Sequence, residues 1–179
     1  RWGPVSSRSE VASLLDEEGY LQLVEEPVVA NAKTQEVERE LRAQIERARS
    51  AGLRISHLDS HMATLFRSKP LFDVYRRAGA SSGLPLLLER QGARGGLASE
   101  WGTAADDAVV DRVLSISPGV PISGWPAAYE VLLAPLPPGV YQLIVHLAHS
   151  DEEMRGATRD HPDWGAAWRQ ADLDLVSSE

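Results

Sequence analysis

VYQLIVHLAH, residues 140–149, is the most strand-like run in the chain. It is apolar and β-branched, as a strand buried on both faces requires, and it ends in His146 and His149. LPLLLER, residues 84–90, is a second short apolar run of the same kind, and LRIS, residues 53–56, reads as a third, leading into His57. VPISGW, residues 120–125, is a further strand candidate.

Helical patterns lie between these runs. In TQEVERELRAQIERARSAG, residues 34–52, Val37, Leu41, Ile45 and Ala48 fall on one face. Thr34 is placed to cap that helix, arginines gather near its end and Gly52 stops it. KPLFDVYRRAG, residues 69–79, has Pro70 near its first turn and Gly79 as its stop. TAADDAVVDRVLSI, residues 103–116, puts Val109, Val110, Val113 and Leu114 on an apolar side and predicts a helix. PAAYEVLLAPLPPG, residues 126–139, predicts a helix broken at Pro135, and HPDWGAAWRQADLDLVSS, residues 161–178, a last one opened by Pro162. Toward the N-terminus, SEVASLLDEEG (9–19) reads as a short helix, YLQLV (20–24) as a strand or extended connector, and EEPVVAN (25–31) as a turn. GARGGLASEWG, residues 92–102, is Gly-rich but lacks the strand–GxGxxG–helix context of a phosphate loop. Helix and strand alternate, which predicts a parallel sheet with helical crossovers: an α/β fold in one domain over residues 1–179.

Composition narrows the function. The 179 residues are 43% hydrophobic and 25% charged, an ordinary globular balance. A net charge of −8 argues against nucleic acid and against docking on anionic lipid, and no apolar run is long enough to span a membrane. The absence of cysteine excludes disulfides, thiolate metal sites and a cysteine nucleophile, and it fits a cytoplasmic location.

Histidine is scarce, at five residues, yet ISHLDSHMATLF, residues 55–66, holds His57 and His61 four apart with Asp59 midway. In parallel α/β sheets, functional groups collect beyond the carboxyl ends of strands, and two predicted strands end in histidine here. His57, His61 and His146 supply three imidazoles, the number a catalytic metal site needs beside one open position. Asp59 is placed to orient a ligating imidazole. The bland reading is a polar loop whose histidines are satisfied by backbone groups. Trp101, Trp125 and Trp164 lie in or near loops, where sugars stack on aromatic faces, but filling the core is the default for tryptophan. Arg169 and Asp172, three apart on the last helix, read as an exposed pair of little energetic weight.

ISHLDSHM after one strand, and LIVHLAHSDEEM at the end of a later one, resemble the YdjC-like carbohydrate deacetylases, also known as the ChbG/HpnK family. RWGPVS near the start and HPDWGAAWRQADLDLVSSE at the end look like further segments of one branch, so the resemblance covers essentially the whole chain. Their first motif has the form T-H-[LIV]-D-[SG]-H, with Ser56 here in place of the threonine. The resemblance implies a distorted (β/α) barrel related to the polysaccharide deacetylases, incomplete in this chain. It also implies hydrolysis of the acetyl group of an N-acetylated sugar or oligosaccharide around one divalent metal ion, zinc first, with magnesium or another divalent ion as alternatives. By match to the motifs, His57, His61 and His146 are the metal residues, with one of His57 and His61 alternatively standing behind the ligands. Asp59 and His149 are the catalytic candidates, with His61 or His149 to protonate the leaving amine; a solvated loop residue is the bland reading of His149. Neither nucleic acid nor membrane is expected as a partner; the oligomeric state is left open, with a homodimer one option.

Two departures stand out. Members of the family begin with a strand ending in Asp-Asp, which supplies a metal ligand and the presumed base; no such strand precedes Arg1, and the last family strand is also expected beyond Glu179. LAH follows His146 where many members carry Pro-Gly. The alternative expectation is a sugar-binding or scaffold protein that kept the fold and lost the chemistry.

Overall fold

A computed structural model describes residues 2–90, 101–117, 119–134 and 136–178. Its internal contacts divide the chain into two units, Arg1–Val110 and Asp111–Glu179.

The first unit opens with two 3-10 turns, Arg8–Glu10 and Ala12–Leu14, where a short helix is expected from the sequence. The helix stops because Asp16 turns the chain. Its Oδ1 accepts from the backbone N–H groups of Glu18 and Tyr20, and Gly19 takes a φ of 82°. Leu15 and Leu21 then form an antiparallel bridge. EEPVVAN is a helix rather than a turn: α1, Glu25–Asn31. Pro27 is tolerated because it falls in the first turn, where N–H groups lack intrahelical partners anyway, and Glu25 and Glu26 suit the positive end of the dipole.

Helix α2, Thr34–Ser50, buries Val37 and Ile45 as its periodicity requires, but Lys33 rather than Thr34 occupies the cap position. It also buries a charge. Glu40 is 3% exposed and accepts from the N–H groups of Val5 and Ser6 at 2.9 Å and from Gln44 Nε2 at 2.8 Å. That carboxylate ties the N-terminal segment to the helix. Helix α3, Lys69–Ser82, packs against α2 and runs past Gly79 to end at Gly83, whose φ of 63° is left-handed. Gly79 serves close packing instead. A Cβ there would lie 2.7 Å from Leu86 Cδ2 and 2.8 Å from the Leu84 carbonyl oxygen.

Strands β1, Leu87–Glu89, and β2, Ala108–Val110, pair in parallel. Of the predicted strand leading to His57, residues 53–57 carry no strand; the pairing is one residue wide, a parallel bridge from Leu58 to Leu86. The helix expected over 103–116 is also absent. Its valines form β2 and, after a bend at Asp111, β3, Arg112–Leu114, since β-branched residues that match a helical face also match a strand. The core of this unit gathers Val11, Leu14, Leu71, Phe72, Tyr75 and Leu88. Trp101 packs against it, with its ring 5.2 Å from that of Phe72, while residues 92–100 of the Gly-rich run lie outside the described residues.

In the second unit β3 pairs in parallel with β4, Tyr141–Leu143. VPISGW is a 3-10 turn, Ile122–Gly124, not a strand. Prolines on both sides favour this: Pro121 precedes the turn and Pro126 sits in the first turn of α4, Trp125–Leu133. Two helices follow, α5, Glu152–Ala157, capped by Asp151, and α6, Ala166–Ser177, entered through a 3-10 turn at Pro162–Trp164. Ile116, Trp125, Tyr129 and Trp168 form the core. Among the described residues the sheets are two parallel pairs, and no closed barrel is formed. No described helix is long and apolar enough to cross a membrane.

Candidate functional site

In the first unit the motif is held by its middle residue. Leu58 donates its N–H to the Pro85 carbonyl at 2.9 Å, and its own carbonyl accepts from Leu87 N–H at 2.8 Å and from the Tyr75 hydroxyl at 2.5 Å. The residues on either side, His57 and Asp59, are exposed. Both line a cleft of about 230 Å³ whose apolar lining includes Leu41, Ile45, Ala48 and Ile55. The Nδ1 of His57 is 2.9 Å from Ser56 Oγ, which leaves Nε2 as the nitrogen for other partners. Tyr75 is pushed to a higher pKa by burial first and then by the negative charges of Asp59 and Asp107, so its hydroxyl stays a donor.

His61 follows the buried Ser60, whose Oγ accepts from Leu65 N–H at 3.0 Å and so ties down the 3-10 segment His61–Phe66. Directly after His61, Met62 and Ala63 take φ of 54° and 56°. Two consecutive non-glycine residues in the left-handed region cost on the order of 1–2 kcal/mol each, and strain of this kind clusters at functional sites. The same turn is braced by Arg67, which bonds Glu25 at 2.7 Å and holds that carboxyl below its ordinary pKa, with His61 adding a smaller effect in the same direction.

In the second unit β4 ends at Leu143, but the chain stays extended alongside α6 rather than along a strand. Alternate N–H groups bond that helix: His146 to Asp172 Oδ2 at 2.7 Å, Ala148 to the Arg169 carbonyl at 3.4 Å, and Ser150 to Gln170 Oε1 at 2.8 Å. His149 falls between two of these anchors and is exposed. The imidazole of His146 lies edge-on against Trp168, at 5.0 Å between centroids, and Trp164, at 5.6 Å.

Asp172 is not an exposed partner of Arg169. It is 1% exposed, and its Oδ1 accepts from the Tyr129 hydroxyl at 2.8 Å. Burial first, and then the Asp172 bond and charge, push Tyr129 to a higher pKa. One signal for this was in the sequence: Trp168, Asp172 and Leu175 are spaced four and three, so the carboxylate sits on an apolar stripe. The tryptophans mostly fill the core, as expected: Trp125 is 1% exposed, whereas Trp164 is 40% exposed beside His146.

The structure thus brings His57 and Asp59 together in one cleft, sets His61 in the turn that follows, and holds His146 and His149 on the segment stapled to α6. Among the described residues, no three His, Asp or Glu side chains within either unit form a group able to hold a metal ion.

A family model described as YdjC-like protein matches residues 1–179. A curated carbohydrate deacetylase of Thermus thermophilus is 35% identical over 174 residues, covering 94% of this chain and 62% of that protein. This chain therefore spans about 62% of the curated relative it matches. A crystal structure from Enterococcus faecalis V583, of a protein provisionally assigned to cellobiose-phosphate cleavage, is similar in fold, with a TM-score of 0.72 at 20% identity. That likeness covers 99% of this chain and 65% of the other.

Proposed function

Because the chain belongs to the YdjC-like family, we propose that it carries part of the machinery of a metal-dependent carbohydrate deacetylase, acting on the acetamide of an N-acetylated sugar or oligosaccharide. The observation that carries this reading is the 35% identity to a carbohydrate deacetylase over 94% of the chain. The fold expected with it is a distorted (β/α) barrel, of which the two parallel strand pairs are pieces.

His57, His61 and His146 are the proposed ligands of one divalent cation, with zinc the first expectation. The donor chemistry fits. Neutral imidazoles suit zinc, and the Nδ1 of His57 faces Ser56 Oγ, so that Nε2 of His57 is the nitrogen turned to other partners. A bound cation would polarise the acetamide carbonyl and acidify water. Asp59, in the same cleft as His57, orients that imidazole by its charge. His149 is exposed and untethered by the helix bonds on either side of it, and donates the proton that the leaving amine needs.

The reading is tested by incubating the full chain with zinc and N-acetylated oligosaccharides and measuring released acetate. Release that is zinc-dependent and falls by at least roughly 100-fold in His57→Ala supports it. Sugar binding with no acetate release under any divalent metal would instead favour a sugar-binding protein without the chemistry.

A further inference from the structure

Among the described tryptophans, Trp164 alone is both exposed and firmly held. Trp125 and Trp168 are 1% and 6% exposed and fill the core, and Trp101 packs on Phe72. Trp2 is 84% exposed and has no ring contact among the described residues. Trp164 is 40% exposed, yet the chain fixes it from three sides. Its N–H donates to the His161 carbonyl at 3.1 Å, and its own carbonyl accepts from Arg169 Nε at 3.1 Å. Its ring leans on Trp168 at 5.3 Å between centroids and on His146 at 5.6 Å. The 3-10 turn Pro162–Trp164 and the first turn of α6 thus leave part of an indole open to water with little freedom to lose when a ligand covers it.

The surroundings of that indole are polar. His161 and Asp163, its neighbours in the chain, are exposed. The Nε bond sets the Arg169 guanidinium beside Trp164, and its terminal nitrogens form no ion pair among the described residues. An aliphatic side chain or a lipid laid on this face would bury the guanidinium without a partner. A pyranose ring suits it better. Its C–H groups can lie flat on the indole, while the hydroxyl and acetamide oxygens around its edge accept from the guanidinium.

We propose that Trp164 is a stacking platform for one ring of an N-acetylated oligosaccharide, with Arg169 donating to the oxygens of that ring. The inference rests on the carbohydrate reading given above, but it uses no metal ion and no residue of the first unit.

The test titrates the full chain, without metal, with a β-linked trimer of N-acetylglucosamine, and with mannitol as a polyol that has hydroxyls but no ring face. Two NMR readouts follow binding: the indole N–H signal of Trp164, assigned by its loss in Trp164→Phe, and saturation transfer from the protein to the C–H protons of the sugar. The trimer is expected to shift the Trp164 signal and to receive saturation; mannitol is expected to do neither. Trp164→Ala is expected to weaken trimer binding by at least roughly 10-fold, and Trp164→Phe and Arg169→Gln by less. Trimer binding that leaves the Trp164 signal unmoved, or no trimer binding at all, overturns the inference even if the variants fail to fold. So does a folded Trp164→Ala that binds the trimer as the wild type does. A shifted Trp164 signal supports the platform whether or not the zinc assay above releases acetate. Acetate release with that signal unmoved overturns the platform and spares the deacetylase reading.

Discussion

At the scale of single residues, the motif is built by opposition. Leu58 is pinned by three backbone-directed bonds so that its neighbours His57 and Asp59 can face the cleft, and the strain that follows His61 is concentrated at Met62 and Ala63. Met62 is 45% exposed, so its side chain contributes little packing to offset a φ of 54°. Met62→Gly is expected to raise stability by about 0.5–1 kcal/mol, the left-handed penalty less the entropy that glycine adds to the unfolded chain. Urea unfolding measures it, and a loss of more than about 1 kcal/mol would show that the side chain matters more than the backbone. Gly79 and Gly83 separate two reasons for glycine. Gly83→Ala meets open space and should lose only about 1 kcal/mol, from its φ of 63°. Gly79→Ala gains helix propensity but must displace Leu86 and the Leu84 carbonyl, and is expected to cost about 1–3 kcal/mol more than that gain. Equal melting temperatures for Gly79→Ala and the wild type would contradict the packing role.

At the scale of elements, α2 shows how a polar helix face can hold structure. Glu36, Glu38 and Glu40 are all held below the ordinary glutamate value of 4.5. For Glu36 the chief cause is the Ser13 backbone N–H, and for Glu38 the Arg77 side chain. For Glu40, burial raises the pKa but is outweighed by bonds from Gln44, Val5 and Ser6. Lowered values in the folded state mean that these groups stabilise the fold above pH 4.5, and that this stability is lost as pH falls through their folded values. The urea midpoint should therefore drop steeply below pH 4.5, less steeply in Glu40→Gln; parallel curves for the two proteins would remove Glu40 from the account. The same helix was legible in the sequence because its apolar spacing runs for about four turns. The region 103–116 was not, because Val109, Val110, Val113 and Leu114 satisfy a helical face and two three-residue strands equally well, and only the pairing partners decide. Asp172 reads as exposed for a related reason: its spacing to Arg169 suggests a surface pair, whereas its spacing to Trp168 and Leu175 sets it on the stripe that packs.

At the scale of the whole molecule, the site reading depends on residues far apart in sequence. His57 and Asp59 line one cleft, the His146 backbone is anchored to α6, and His149 is exposed beside it. The sequence made His57, His61, His146 and His149 the candidates because few residues of that type exist. It carried the surroundings of His146 poorly, because burial of Asp172 and Tyr129 arises only when α4 and α6 pack. The central claim is that His57, His61 and His146 bind one cation. Zinc K-edge absorption spectroscopy of the full chain tests it most directly. The expected result is a single zinc per chain with imidazole nitrogens at about 2.0–2.1 Å, and fewer imidazoles around it in His57→Ala and in His146→Ala alike. A zinc shell that keeps its imidazole number when either histidine is removed would contradict it.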